Sequence, residues 1–155
     1  MKIAIASDHG GYNLKEKVKE TLQSQGLAYE DLGTSNTRPV DYPDFAFKVA
    51  EGVARGDYQG GIIICGTGIG VSMAANKVPG IRAALCSDCF SARAAREHND
   101  ANILTLGERV TGPGLAQEIV KTFLSSQFQG GRHQNRVDKI KEAEDKYSWT
   151  EKGAD

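Results

Sequence analysis

Residues 60–70 read Gly60-Gly61-Ile62-Ile63-Ile64-Cys65-Gly66-Thr67-Gly68-Ile69-Gly70. A short, fully apolar run bounded by glycines predicts a buried strand, and it passes through Cys65 straight into a glycine-rich turn. Residues 71–77 behind the turn predict a helix. The unit is therefore strand, tight turn, helix. Glycine at positions 66, 68 and 70 leaves the backbone N–H groups of this turn bare and able to converge on an anion. A helix start at the same point adds its positive dipole end. A thiol beside such donors can move a proton and stabilise the oxyanion that results. The same pattern also has a plain structural reading, a close-packed strand-to-helix turn with a buried cysteine. The loop lacks the Lys-Ser/Thr ending of a nucleotide P-loop and the Gly-x-Gly-x-x-Gly spacing of a dinucleotide site. A smaller phosphorylated or enolisable substrate fits it better than ATP or NAD.

The alternation continues on both sides of this unit. Lys2–Ser7 is an apolar run, and residues 13–25 carry Leu14, Val18 and Leu22 at four-residue spacing ahead of Gly26. Residues 27–32 read as a second strand, 33–43 as a loop with two prolines, and 45–55 as a helix stopping at Gly56. Downstream, Pro79-Gly80 is a turn into a fourth strand at 81–86, followed by a helix at 91–98, a strand at 103–106 and a helix at Pro113–Ser125. Repeated strand–helix units with short turns predict an α/β protein, a Rossmann-like three-layer α/β/α sandwich on a five-stranded parallel sheet. Gly130-Gly131 then breaks the rhythm. Residues 132–149 predict an extra C-terminal helix with Val137, Ile140, Tyr147 and Trp149 along one side, packed on its own domain or at a subunit interface. Residues 1–149 read as one domain and 150–155 as a polar tail.

A chain of 155 residues supports one core and not two comfortable ones. A formal net charge of −1, with no basic run, points away from nucleic acid and acidic membrane surfaces. The N-terminal apolar stretch is too short for a signal peptide, and no segment approaches membrane-spanning length. A cytoplasmic protein is expected. Three cysteines, Cys65, Cys86 and Cys89, do not make a disulfide framework. Cys86-Ser87-Asp88-Cys89 has C-x-x-C spacing, but zinc needs about four ligands and no second pair exists. Cys86 closes an apolar strand and reads as core, so no metal is expected.

Ligands of open parallel sheets bind outside the carboxyl ends of the strands. The first strand delivers Asp8-His9-Gly10-Gly11 to that edge and the third delivers Cys65 with its loop. The helix after the fourth strand ends at His98-Asn99, which is expected to join them. Asp8 serves as a helix N-cap in the alternative reading, and His98 complements a helix C-terminus with Asn99 as its left-handed cap. Arg132 and Arg136, spaced i, i+4, share a helical face. Behind Gly130-Gly131 they suit a phosphate that arginine can grip bidentately.

Four separated motifs carry a family likeness. Ser7-Asp8-His9-Gly10-Gly11, Cys65-Gly66-Thr67-Gly68-Ile69-Gly70, Glu97-His98-Asn99-Asp100-Ala101-Asn102 and Leu106-Gly107-Glu108-Arg109 resemble type B ribose-5-phosphate isomerases. The family includes isomerases of allose 6-phosphate and galactose 6-phosphate, and the likeness runs to about residue 149. The resemblance implies an aldose–ketose isomerase of the pentose phosphate pathway, without cofactor, working as a homodimer or higher oligomer with active sites shared between chains. It implies Cys65 as the base moving a proton between C1 and C2, and Gly66, Thr67, Gly68, Ile69 and Gly70 as the anion hole for the enediolate. His98, helped by Thr67, matches the group that opens the furanose ring. Asp8, Asn99 and Tyr42 match positions around the sugar hydroxyls, and His9, Arg132, Arg136 and Arg109 match a phosphate clamp. One branch of the family takes its base from a glutamate just after the loop. Here Val71, Ser72 and Met73 follow, with no carboxylate among them, so the resemblance implies the thiol as the base. The alternatives are a hexose-6-phosphate isomerase and a non-catalytic module for a phosphorylated ligand.

Overall fold

The computed structural model describes residues 1–147. Its centre is the apolar run quoted above, strand β3 (Gly60–Cys65), buried at every position. Strand β1 (Lys2–Ser7) lies beside it in parallel, with Ile3 opposite Gly60 and Ser7 opposite Ile64. Strand β5 (Ile103–Gly107) flanks the other side and sets Gly107 opposite Cys65. The edges are β2 (Ala28–Asp31) on β1 and the three-residue β4 (Ala83–Leu85) on β5, giving a parallel sheet of order β2-β1-β3-β5-β4. The predicted five-stranded parallel sheet is present. Helices cover both faces, as continuous apolar strands require.

Alternation along the strands divides the core in two. Ile3, Ile5, Ile62, Ile64, Leu104 and Leu106 face one layer of helices: α1 (Tyr12–Ser24), α4 (Cys89–Asn99) and α5 (Pro113–Ser125). Ala4, Ala6, Ile63, Cys65 and Ile103 face the other, α2 (Tyr42–Ala54) and α3 (Ile69–Ala75). Cys65 thus points to the side on which α3 begins. The last helix, α6 (Arg132–Tyr147), buries His133 and Val137 against the domain. Ile140 and Tyr147, expected on the same apolar side, stand 50 % and 61 % exposed. Trp149 and the tail at 150–155 lie outside the described residues.

Boundaries shift where capping outweighs periodicity. Helix α2 starts at Tyr42 rather than Phe45, because Pro43 occupies the first turn, where its missing N–H costs nothing. Tyr42 is therefore helical and not part of the preceding loop. Helix α4 starts at Cys89 because Asp88 caps it, its carboxylate accepting the Ser91 N–H at 2.7 Å. Helix α3 spans 69–75 rather than 71–77. At the end of α4, Asn99 stays helical and the left-handed cap is Asp100, at φ 47° and ψ 43°.

Candidate active site

Sheet order changes direction between β1 and β3, since β1 leads to β2 on one side and β3 leads toward β4 on the other. A crevice opens at such a point, at the carboxyl ends of the strands. The two loops that flank it nearly touch: a Cβ at Gly10 would lie 3.3 Å from the Gly66 nitrogen. Asp8 is buried here, one carboxylate oxygen accepting the Gly11 N–H at 3.1 Å. It caps a one-turn 3-10 helix (His9–Gly11) and keeps a second oxygen for another partner. His9 Nδ1 accepts the Val40 N–H at 3.2 Å, which makes Nε2 the proton-bearing nitrogen of the neutral ring.

The glycine loop closes around the thiol. The Gly68 N–H donates to Cys65 Sγ at 3.1 Å, and Thr67 Oγ1 accepts the Ile69 N–H at 3.2 Å. Gly68 turns at φ +77°, and a side chain there would also meet the Leu106 backbone at 2.8 Å. Helix geometry leaves the N–H groups of Gly70 and Val71 without an intrahelical acceptor. The loop is pinned from β5: Glu108 and Arg109 donate their N–H groups to the Cys65 and Gly66 carbonyls at 2.9 and 3.0 Å, and Thr105 Oγ1 donates to the Gly68 carbonyl at 3.0 Å. The Arg109 guanidinium lies 3.1 Å from the Cβ position of Gly66, and the Tyr42 ring 2.6 Å from that of Gly70. Asp8, His9, Tyr42, Cys65, residues 66–70 and Arg109 therefore surround one crevice.

His98 and Asn99 do not join them. Helix α4 runs antiparallel to its strands, so its C-terminus returns to the amino edge of the sheet. Arg82, just ahead of β4, holds the Asn99 carbonyl, and Asn102, just ahead of β5, accepts the Gly61 N–H. Arg96, one turn before, lines a cavity with Met1, Gln59 and Gly60. The length of β3 puts about 17 Å between the two edges. The expectation that His98-Asn99 lies at the carboxyl ends of its own sheet is thus corrected by the direction of the helix. A second cluster forms there instead. The His98 and His133 rings stack at 4.3 Å and 10°. The His133 pKa is held below its ordinary value, first by burial and then by the positive charge of His98, Arg132 and Arg136 around it. The chain thus carries two separate clusters: a thiol with amide donors at one edge of the sheet, and a basic cluster with His98 at the other.

A family model described as Ribose/Galactose Isomerase matches residues 3–140. The chain belongs to this family. It is 49% identical over 139 residues to ribose-5-phosphate isomerase B of Escherichia coli, covering 90% of this chain and 93% of that one. Ribose-5-phosphate isomerase B of Clostridium thermocellum superposes with a TM-score of 0.94 at 60% identity, over 96% of this chain and 100% of that one. The crystal structure of the Mycoplasma genitalium enzyme with bound ribulose-5-phosphate gives a TM-score of 0.89 at 46% identity, over 93% and 96% of the two chains.

Within this family fold Cys86 and Cys89 pack in the core layer on the opposite face of the sheet from Cys65. Cys86 is buried, and desolvation, with the Asp88 charge second, pushes its thiol up to about 11. It stays protonated near pH 7 and is a poor nucleophile or metal ligand. Cys86 and Cys89 are both free. Sequence reading missed His133, whose signal is its position four residues before Val137 on the buried stripe of α6. It also missed Glu108, whose carboxylate accepts the Leu14 N–H at 2.9 Å and so ties the β5 loop to the start of α1. Among the described residues no helix is long and apolar enough to cross a membrane.

Proposed function

We propose that the chain interconverts ribose 5-phosphate and ribulose 5-phosphate in the pentose phosphate pathway. The observation that carries this reading is the Cys65 thiol anchored by the Gly68 amide at 3.1 Å inside a loop of N–H donors. Isomerisation of an open-chain aldose needs a base that takes the C2 proton and returns it to C1, and donors for the enediolate oxygens between the two steps. Cys65 supplies the base, and the amides of the glycine loop stabilise the developing negative charge. Asp8 and Tyr42 border the space for sugar hydroxyls.

The ring must open first, which requires a group that takes the anomeric hydroxyl proton and protonates the ring oxygen. His98 is the group for this step, with Thr67 beside the substrate. Since His98 stands at the far edge of its own sheet, it serves the crevice of a second copy, and brings Asn99, Arg132 and Arg136 with it. His9 and Arg109 meet the phosphate from the thiol side. Each active site is thus built from two chains of a homodimer. The exposed Ile69 and Met73 beside the glycine loop and the exposed Ile140 on α6 support burial of these surfaces between copies. A cytoplasmic location belongs to the same proposal.

The test is turnover by the purified chain. Ribose 5-phosphate should be converted to ribulose 5-phosphate, and Cys65→Ala should nearly abolish conversion while calorimetry still detects the bound sugar phosphate. A chain that converts only allose 6-phosphate, or a Cys65→Ala variant within a few-fold of wild type, overturns the assignment.

A further inference from the structure

Arg82 and Asp100 have no part in the chemistry above, yet a dense set of polar contacts joins them. Arg82 stands just ahead of β4 with its side chain 15 % exposed. Its Nε donates to the carbonyls of Asn99 and Asp100, both at 3.0 Å, and its Nη2 donates to the Asp100 carbonyl at 2.8 Å. The same Nη2 reaches Asp100 Oδ2 at 3.0 Å. Arg96 takes the other carboxylate oxygen at 3.1 Å and the Ala101 carbonyl. Asp100 is the one non-glycine residue in the left-handed region among the described residues. A side chain strains that conformation, which persists only where the surroundings over-determine it.

Glycine would end α4 without strain and without two arginines. What this turn carries gives the arrangement its use, because His98 and Asn99 immediately precede it. We propose that Arg82 is a positioning residue, fixing the Asn99–Asp100 turn and so the direction in which His98 and Asn99 leave the end of α4. The inference rests on the isomerase reading. The guanidinium fork caps the last carbonyls of the helix and the Asp100 carboxylate together, so the turn has one orientation. A histidine that must meet a substrate seated on another chain gains from being fixed before the chains meet.

The experiment measures kcat of the full chain from initial rates at saturating ribose 5-phosphate and at saturating ribulose 5-phosphate, with thermal melting of each variant. The ketose cannot close a furanose ring through its phosphorylated C5 oxygen, so only the aldose direction needs ring opening. Arg82→Met should slow the aldose direction on the order of ten- to a hundredfold and the ketose direction far less. Arg82→Lys, which restores charge without the fork, should recover part of the loss. Asp100→Asn, which tolerates the left-handed backbone, should show the same bias more weakly. Equal losses in both directions, tracking a fall in Tm, would make the network structural and overturn the proposal. If Arg82→Met does not fold, the Arg82→Lys and Asp100→Asn ratios decide alone. A wild-type chain inactive on both sugars overturns the isomerase reading and this inference with it. An active wild type with unbiased variants overturns only this one.

Discussion

The His98 ring lies parallel on the His133 ring, 4.3 Å from centroid to centroid. Charge on the neighbouring His98 ring opposes a proton on His133, and Arg132 and Arg136 add to the repulsion there. Burial is the larger cause, and both push the His133 pKa below 6.5. The folded state therefore binds fewer protons than the unfolded one at this position. Its contribution to stability is complete above the unfolded value and is lost as pH falls through the folded one. Urea titrations from pH 8 downward should show stability falling below about pH 6.5, and His133→Asn should flatten that slope. An unchanged slope would place the acid sensitivity elsewhere.

Gly107 sits opposite Cys65 in the sheet, and a Cβ there would lie 2.5 Å from the Thr67 carbonyl carbon. That obstacle is backbone, so the glycine loop itself has to move. A displacement of about 1 Å in a positioned site costs on the order of a hundredfold in rate. Gly107→Ala should reduce kcat by about that factor while the fold survives. Gly114→Ala, near the start of α5 with open space around its Cβ position, is the control. It should be neutral or stabilise by about 0.5–1 kcal/mol.

The sheet was legible because β3 is apolar at every position and the flanking helices repeat apolar residues every four. Periodicity reads burial, and burial decides which faces meet. The caps were less legible, since Pro43 and Asp88 extend helices by a few residues that carry no apolar pattern. The thiol cluster of the candidate site was readable because sequence neighbours form it: Cys65 and its loop, and Asp8 with His9. The basic cluster was named by residue, from the His98-Asn99 motif and the spacing of Arg132 and Arg136, but its place in the fold was not legible. Motif order places His98 after the fourth strand, but only the antiparallel run of α4 against that strand shows that it returns to the amino edge. Arg82 was invisible for a related reason, as its partners Asn99 and Asp100 lie a whole helix away in sequence.

Arg132 and Arg136 open α6 on one face, close enough to depress the protonation of His133 between them. If they hold the substrate phosphate, each charge-assisted contact is worth about 1.5–3 kcal/mol. Either alanine variant should then raise KM for ribose 5-phosphate roughly ten- to a hundredfold, with little effect on the weak handling of free ribose. Steady-state kinetics on both sugars makes the check. An arginine whose loss weakens phosphorylated and free sugar equally is not reading the phosphate.

The separation of Cys65 from His98 across the sheet makes the strongest demand on the assembly. Cys65→Ala and His98→Ala chains should each be inactive with ribose 5-phosphate, for different reasons. Refolded together in equal amounts, they should regain activity, because one of the two sites in each mixed dimer takes both intact residues. Random pairing makes half of the dimers mixed, so recovery should approach about a quarter of the wild-type value. Subunit exchange is verified by mass spectrometry of the refolded sample under native conditions. If mixed dimers are present and activity stays at the level of the separate variants, both residues act within one chain. The roughly 17 Å between the edges would then have to be closed by a rearrangement of α4, and the shared-site model would be wrong.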